Sequence, residues 1–222
     1  MKNGGIIFDF NGTLFWDTAY HEIAWDEYLD SHNFYLSGTQ KKEFIHGRSA
    51  KDILEFLFKK KLSASEIERY TEEKEEIYRN ECLKHRMLLA PGAVNLLEYL
   101  NEHDVPIAIA TSAEIRNVQF FIEQFNLLSY FKEEHIIYND GKIRGKPYPD
   151  IFDKAIRRLK VNKADTIILE DSFSGIKAAI NCHVGHVIIV NSNQEDFSSF
   201  NLPVIDHFDQ FNRDIIPLPV RK

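Results

Sequence analysis

Three short apolar runs, each stopped abruptly by polar residues, constrain this chain more than any other feature. Gly5-Ile6-Ile7-Phe8 stops at Asp9, Val105-Pro106-Ile107-Ala108-Ile109-Ala110 at Thr111-Ser112, and Thr166-Ile167-Ile168-Leu169 at Glu170-Asp171-Ser172. Apolar runs this short read as buried strands. The stretches between them carry helical apolar spacing, and strands alternating with helices imply a parallel sheet covered on both faces. All strands of such a sheet end at the same edge. The polar ends therefore converge where open α/β folds place their ligands.

From Asp17 to about Leu88 the pattern is helical, with no convincing strand. Asp17 or Thr18 is placed to cap a helix running to Leu29, with Ile23, Ala24 and Tyr28 on its apolar face. Residues 41–45 predict a short helix ending near Gly47. Ser49 is a cap for residues 51–58, with Asp52 in the first turn, where the helix dipole favours an acid. Ser63 or Ser65 opens a long charged helix over residues 66–84. Residues 16–89 thus read as an all-helical unit inserted into an α/β core of residues 1–15 and 90–222. Pro91-Gly92 marks the return to the core. Helices over residues 93–101, 115–125, 151–159 (capped by Asp150) and 175–181 then alternate with strands that include Ile136-Ile137 and residues 187–190. Val204-Ile205-Asp206 gives only a weak strand signal. The expected fold is a doubly wound, Rossmann-like parallel sheet carrying this helical insertion.

At 222 residues the chain is large enough for one core plus a smaller inserted unit. It has no run near the ~18 apolar residues of a membrane span, and Met1-Lys2-Asn3-Gly4 has no apolar leader. Cys82 and Cys182 are too few and too far apart for a disulfide framework or a metal cluster, which fits a reducing cytoplasm. A net charge of −7 with no basic block argues against nucleic acid, and Lys59-Lys60-Lys61 reads as a solvated helix end.

Carboxylates gathered at one sheet edge repel, and hard oxygens of this kind suit Mg²⁺. A nearby lysine, offered by the loop at Lys146-Pro147, and a hydroxyl suit a phosphate. An aspartate so placed can accept a phosphoryl group as an aspartyl-phosphate.

Asp9-Phe10-Asn11-Gly12-Thr13-Leu14, Thr111-Ser112, Lys146-Pro147 and Glu170-Asp171-Ser172 resemble, in order and spacing, the four motifs of the haloacid dehalogenase-like phosphohydrolases. The helical insertion is similar to the cap of the β-phosphoglucomutase and phosphonatase-like branch. Asp17-Thr18-Ala19-Tyr20-His21, Gly47-Arg48 and Lys146-Pro147-Tyr148-Pro149-Asp150-Ile151-Phe152 extend the likeness. The resemblance implies that Asp9 is the nucleophile and a Mg²⁺ ligand, and that Asn11 gives the metal its backbone carbonyl. Glu170 and Asp171 complete the metal site. Thr111 and Ser112 hold phosphoryl oxygens, and Lys146 balances the charge. It also implies that Gly47 and Arg48 reach the distal end of the substrate, that His21 lies near the cap hinge, and that cap closure excludes water.

One position departs from the family pattern, which has a second aspartate where this chain has Asn11. An amide has no titratable proton at working pH, so it cannot protonate a leaving oxygen or activate water. General acid–base help is worth ~10²–10⁴ in rate, so turnover should be slow unless another group substitutes, His21 first. Asn11 precedes Gly12, a dipeptide prone to deamidation, which would regenerate a carboxylate. The expected function is Mg²⁺-dependent hydrolysis of a small phosphorylated metabolite, such as a sugar phosphate, by a monomer that binds neither nucleic acid nor membrane. A phosphosugar mutase and a non-catalytic phosphate-ester binder are the alternatives. Each residue also has a plainer reading: His21 as a satisfied helix histidine, Lys146 as a loop lysine, and Thr111-Ser112 or Glu170-Asp171 as helix caps.

Overall fold

A computed structural model describes residues 4–45 and 49–218. Strand β1 (Ile6–Phe8) is wholly buried, as its apolar run requires. The chain then forms helices α1 (Thr18–Ser31), α2 (Gly38–Phe44), α3 (Ala50–Phe58) and α4 (Ala64–Leu83). These belong to a compact unit, Asp17–Arg86, while Met1–Trp16 and Met87–Lys222 form a second. In the helical unit Ser37, Ser49 and Ser63 each cap a helix by accepting a backbone N–H. Gln40 and Glu66 reach back to complete capping boxes at Ser37 and Ser63. Asp17 precedes α1 but makes no side-chain cap. Its carboxylate instead accepts the Tyr78 hydroxyl from α4 at 2.5 Å. Tyr28, Leu29, Ile53, Leu54 and Leu57 form the buried centre of this unit, and Phe58 stacks on Tyr70 with ring centroids 4.2 Å apart.

The second unit continues through α5 (Ala93–Glu102), β2 (Ile107–Ala110), α6 (Ile115–Gln124), β3 (Ile136–Ile137), α7 (Asp150–Leu159), β4 (Ile167–Glu170), α8 (Phe173–Asn181), β5 (His186–Val190) and β6 (Val204–Ile205). The sheet order is β3-β2-β1-β4-β5-β6, and every pairing is parallel. The chain winds outward from β1 to β3, then crosses back to β4 and winds the other way. The switch lies between β1 and β4, whose ends carry Asp9 and Glu170. Alternation along β1 sends neighbours to opposite faces. Ile7 packs with Ile151, Phe152 and Ala155 of α7 and Ala178 and Ala179 of α8. Phe8 meets Phe131 and Phe208, each with centroids 6.2 Å away. β6 is two residues long, and Val204 is exposed, which is why its sequence signal was weak. No helix among the described residues is long and apolar enough to cross a membrane.

Candidate active site

The backbone holds Asp9 in the sheet's ladder even though the strand has ended, because its N–H donates to Leu169 O at 2.9 Å. Phe10 turns into the core and stacks on Phe121 with centroids 4.6 Å apart. Asp9 and Asn11, on either side of that anchor, line a cavity of about 210 Å³ together with Thr111, Ser112, Lys146, Glu170 and Asp171. Seven residues expected from four separate motifs thus meet in one place.

Gly12 makes the turn possible. Its φ is +79°, a left-handed conformation that favours glycine, and a Cβ there would collide with the Asp171 carboxylate. Thr13, fully buried, donates from its hydroxyl to Asp171 Oδ1 at 2.9 Å. On β2 the Thr111 hydroxyl oxygen accepts the Ala113 N–H at 3.0 Å, and its proton points to Asn11 Oδ1 at 3.4 Å. Thr111 is therefore not a helix cap; Glu114 stands at the N-terminus of α6 and makes no side-chain cap. Glu170 and Asp171 do not cap α8 either, because Ser172 does so by accepting the Gly175 N–H at 3.1 Å. Ser172 also donates to Glu170 Oε2 from its N–H at 2.7 Å and its hydroxyl at 3.0 Å.

Lys146 is no free loop lysine. Its ammonium donates to Asp9 Oδ1 and Glu170 Oε1, each at 2.5 Å, and its side chain is 7% exposed. The loop that carries it is closed by Arg144 and Asp150. The Arg144 guanidinium donates to the Asp150 carboxylate at 3.1 and 2.7 Å, and the Arg144 N–H adds a third bond at 3.2 Å. Pro147 O accepts from Asn181 Nδ2 at 3.1 Å, tying the loop to the end of α8. Asp150 is thereby spent on Arg144 rather than on a cap, the N-cap position being Pro149.

The electrostatics are those of a cation site. Oxygens of Asp9, Glu170 and Asp171 all lie within 4.8 Å of one another. Burial, then repulsion from Glu170 and Asp9, holds the Asp171 carboxyl well above its ordinary range, against the Thr13 hydrogen bond and Lys146. Burial alone would depress the Lys146 ammonium, but attraction to Asp9 and Glu170 outweighs it and holds the lysine above its ordinary value. Three carboxyl groups thus share one ammonium, and ionising all three needs more positive charge than Lys146 supplies. Hard oxygen donors with that deficit fit a divalent cation such as Mg²⁺.

Three expected residues are not among those that line this cavity. Gly47 and Arg48 fall outside the described residues. His21 sits on α1, where Nδ1 accepts from Lys74 Nζ at 2.8 Å, Nε2 faces Asp17 Oδ2 at 3.4 Å, and the ring stacks on Tyr78 at 3.9 Å. Both ring nitrogens are engaged inside the helical unit. Deamidation of Asn11 would require the Gly12 nitrogen to attack the side-chain amide. That nitrogen donates its hydrogen to Phe15 O at 2.7 Å, and the turn resists the reaction.

Thr13, Ser172, Ser174 and Arg144 were not singled out by sequence as site residues. Thr13 and Ser172 stood inside quoted motifs, and their spacing beside Gly12 and Asp171 was the available signal. Ser174 lines the cavity, while the role of Arg144 lies in its pairing with Asp150, which no local pattern in the sequence marks.

Residues 4–183 match the family model of the haloacid dehalogenase-like hydrolases. The chain belongs to that family. A solved haloacid dehalogenase hydrolase of family IA, variant 3, from Entamoeba histolytica is 34% identical with a TM-score of 0.89, covering 96% of this chain and 97% of that one. Hexitol phosphatase A of Escherichia coli is 28% identical over 225 residues, 97% of this chain and 99% of that protein. Beta-phosphoglucomutase of Bacillus subtilis is 27% identical over 182 residues, 78% of this chain and 77% of the relative.

Proposed function

We propose that the protein is a Mg²⁺-dependent phosphohydrolase that acts on a small phosphorylated metabolite through an aspartyl-phosphate on Asp9. The observation that carries this reading is the Lys146 ammonium, set 2.5 Å from both Asp9 and Glu170 with Asp171 in the same cluster. That arrangement sets an ammonium against a carboxylate at a buried strand end, where a nucleophile for phosphorus would stand. The phosphoryl group would lie against Thr111 and Ser112, which line the cavity beside Asp9. Asp9 attacks phosphorus, and the Lys146 ammonium neutralises the charge that nucleophile and phosphoryl oxygens bring together. Asp9, the Asn11 carbonyl, Glu170 and Asp171 would hold Mg²⁺, which supplies positive charge to the same oxygens. Phosphorylated carbohydrates are the first class to test, since relatives named as a hexitol phosphatase and a phosphoglucomutase support it.

The test is phosphate release with and without Mg²⁺, for the native chain and Asp9→Asn. Release that needs both Mg²⁺ and Asp9 supports the reading. Thermal stabilisation by a phosphate ester with no release would instead mark a binder. Isomerised sugar phosphate in place of free phosphate would mark a mutase, a reading that the 27% identity to beta-phosphoglucomutase favours.

A further inference from the structure

We infer that the α/β unit carries a second anion site, at the edge of the sheet opposite Asp9, shaped for a nucleoside polyphosphate.

The site lies where β2 begins. Val105, Pro106 and Ile107 form one wall of a cavity of about 680 Å³, a size ordinary for small-ligand sites. Thr111, at the other end of the same strand, lines the cavity beside Asp9. At ~3.3 Å per residue, Ile107 and Thr111 stand about 13 Å apart.

Charge points to an anion. Lys132, Arg158 and Lys160 line this cavity, and none of these three side chains has an ion pair or hydrogen bond among the described residues. Most lysines of this acidic chain are not left so. Lys41, Lys60, Lys61, Lys84, Lys154 and Lys163 each hold a carboxylate oxygen within 2.9 Å. Arg158 and Lys160 stand in the last turn and at the C-cap of α7, where the helix dipole suits a cation. The dipole does not account for Lys132, which enters the same lining from the segment before β3. Lys132 and Arg158 also line an adjoining cavity of about 490 Å³, so these two cations stand where both open.

The remaining lining selects among anions. Asp104 and Glu134 share the cavity, and their carboxylates would repel a bare polyphosphate. A nucleotide makes use of them, because ribose hydroxyls donate to a carboxylate. Its phosphates take the two lysines and the arginine, whose planar fork matches phosphate oxygens. Tyr130 also lines the cavity, and its ring meets no other ring among the described residues. It offers a face on which a base stacks. Its carbonyl accepts from Asn101 Nδ2 at 3.2 Å, which ties the backbone at this point to the end of α5.

Isothermal titration in EDTA, which withholds Mg²⁺ and with it turnover, tests the site with ADP, adenosine and inorganic tripolyphosphate. The proteins are the native chain, Lys132→Ala, Arg158→Ala, Tyr130→Leu and Asp9→Asn. We expect ADP to bind, to bind at least about tenfold more tightly than adenosine, and to weaken as salt is added. Lys132→Ala and Arg158→Ala should each weaken ADP by about 10–10²-fold, as charge-assisted hydrogen bonds are lost. Tyr130→Leu should weaken ADP by about 5–10²-fold and leave tripolyphosphate unchanged. Asp9→Asn should bind ADP as the native chain does. Lys132 and Arg158 are exposed, so their loss spares the core, and an unchanged melting temperature without ligand checks this.

No binding of ADP, or equal binding of ADP and adenosine, overturns the inference. Native affinity in both Lys132→Ala and Arg158→Ala does so too, as does loss in Asp9→Asn, which would put ADP at the strand-end cluster. Native ADP affinity in Tyr130→Leu overturns the nucleotide and leaves a site for bare polyphosphate only. None of these outcomes bears on phosphoryl transfer to Asp9.

Discussion

The Thr13 hydroxyl donates to Asp171 Oδ1 at 2.9 Å, joining the turn after β1 to the end of β4 across 158 positions of sequence. Thr13 is fully buried, so its loss cannot be repaired by solvent. Thr13→Val keeps the shape and removes the donor. Leaving a buried acceptor unsatisfied costs about 1–3 kcal/mol, and that is the expected loss of stability. Urea unfolding should show a lower midpoint with an unchanged slope. Thr13→Ser should recover most of the difference, and an unchanged midpoint in the valine variant would show that the bond contributes nothing.

Lys146→Met removes the cation that bridges Asp9 and Glu170. Removing one partner of a buried pair costs about 3–5 kcal/mol, because the other charge is left uncompensated. The remaining carboxylates then have a larger deficit of positive charge. Mg²⁺ should therefore raise the melting temperature of Lys146→Met more than that of the native chain. Phosphate release should fall by at least about 10²-fold, as when a transition-state donor is lost. Equal Mg²⁺ stabilisation in both proteins would place the cation away from this cluster.

Much of this was legible in the sequence because the signals are local. Ile6, Ile7 and Phe8 need burial on both faces, and a carboxylate that follows them, as Asp9 does, must find polar partners at the sheet edge. The apolar residues 107–110 and 167–169 are buried in the same way, so parallel pairing alone brings the ends of these strands together. Side-chain destinations were less legible. Asp17 and Asp150 both stand where a cap is favoured, yet each spends its carboxylate on a distant or looped-back partner, Tyr78 and Arg144. A cap is worth only ~1 kcal/mol, so a charged or buried partner displaces it. Lys74 gave no signal within a helix full of glutamate and lysine, although it is 4% exposed and meets His21.

The Arg144–Asp150 clamp closes the loop that delivers Lys146, and its effect should be visible in kinetics. The Arg144 hydrogen bonds are the main reason that the Asp150 carboxyl lies below its ordinary value. Arg144→Ala should let that carboxyl rise toward about 3.9, read by NMR titration. Because the folded value is depressed, the stabilisation is present above the unfolded pKa and is lost as pH falls through the folded one. A loop free to shift Lys146 should cut kcat by about 10–10²-fold with little change in KM. Arg144→Lys, which keeps the charge but not the fork, should fall between the two. A change confined to KM would mean that the loop touches substrate rather than positioning Lys146.

The capping box that opens α4 should leave its own mark on acid stability. The Lys60 ammonium, then the Ser63 N–H and hydroxyl, hold the Glu66 carboxyl down at about 2. Its unfolded value is about 4.3, so the folded state favours the ionised form. The stabilisation is therefore complete above pH ~5 and drains away as pH falls toward the folded value. Glu66→Gln can keep the hydrogen bond to the Ser63 N–H but not the charge. The urea midpoint of the native chain should exceed that of Glu66→Gln near neutral pH, and the gap should close progressively between pH ~5 and ~2. Added salt should narrow it at neutral pH, since Lys60 is largely in solvent with a side chain 53% exposed. A gap that stays constant from neutral to acid would assign the effect to the cap hydrogen bond alone and exclude the ion pair.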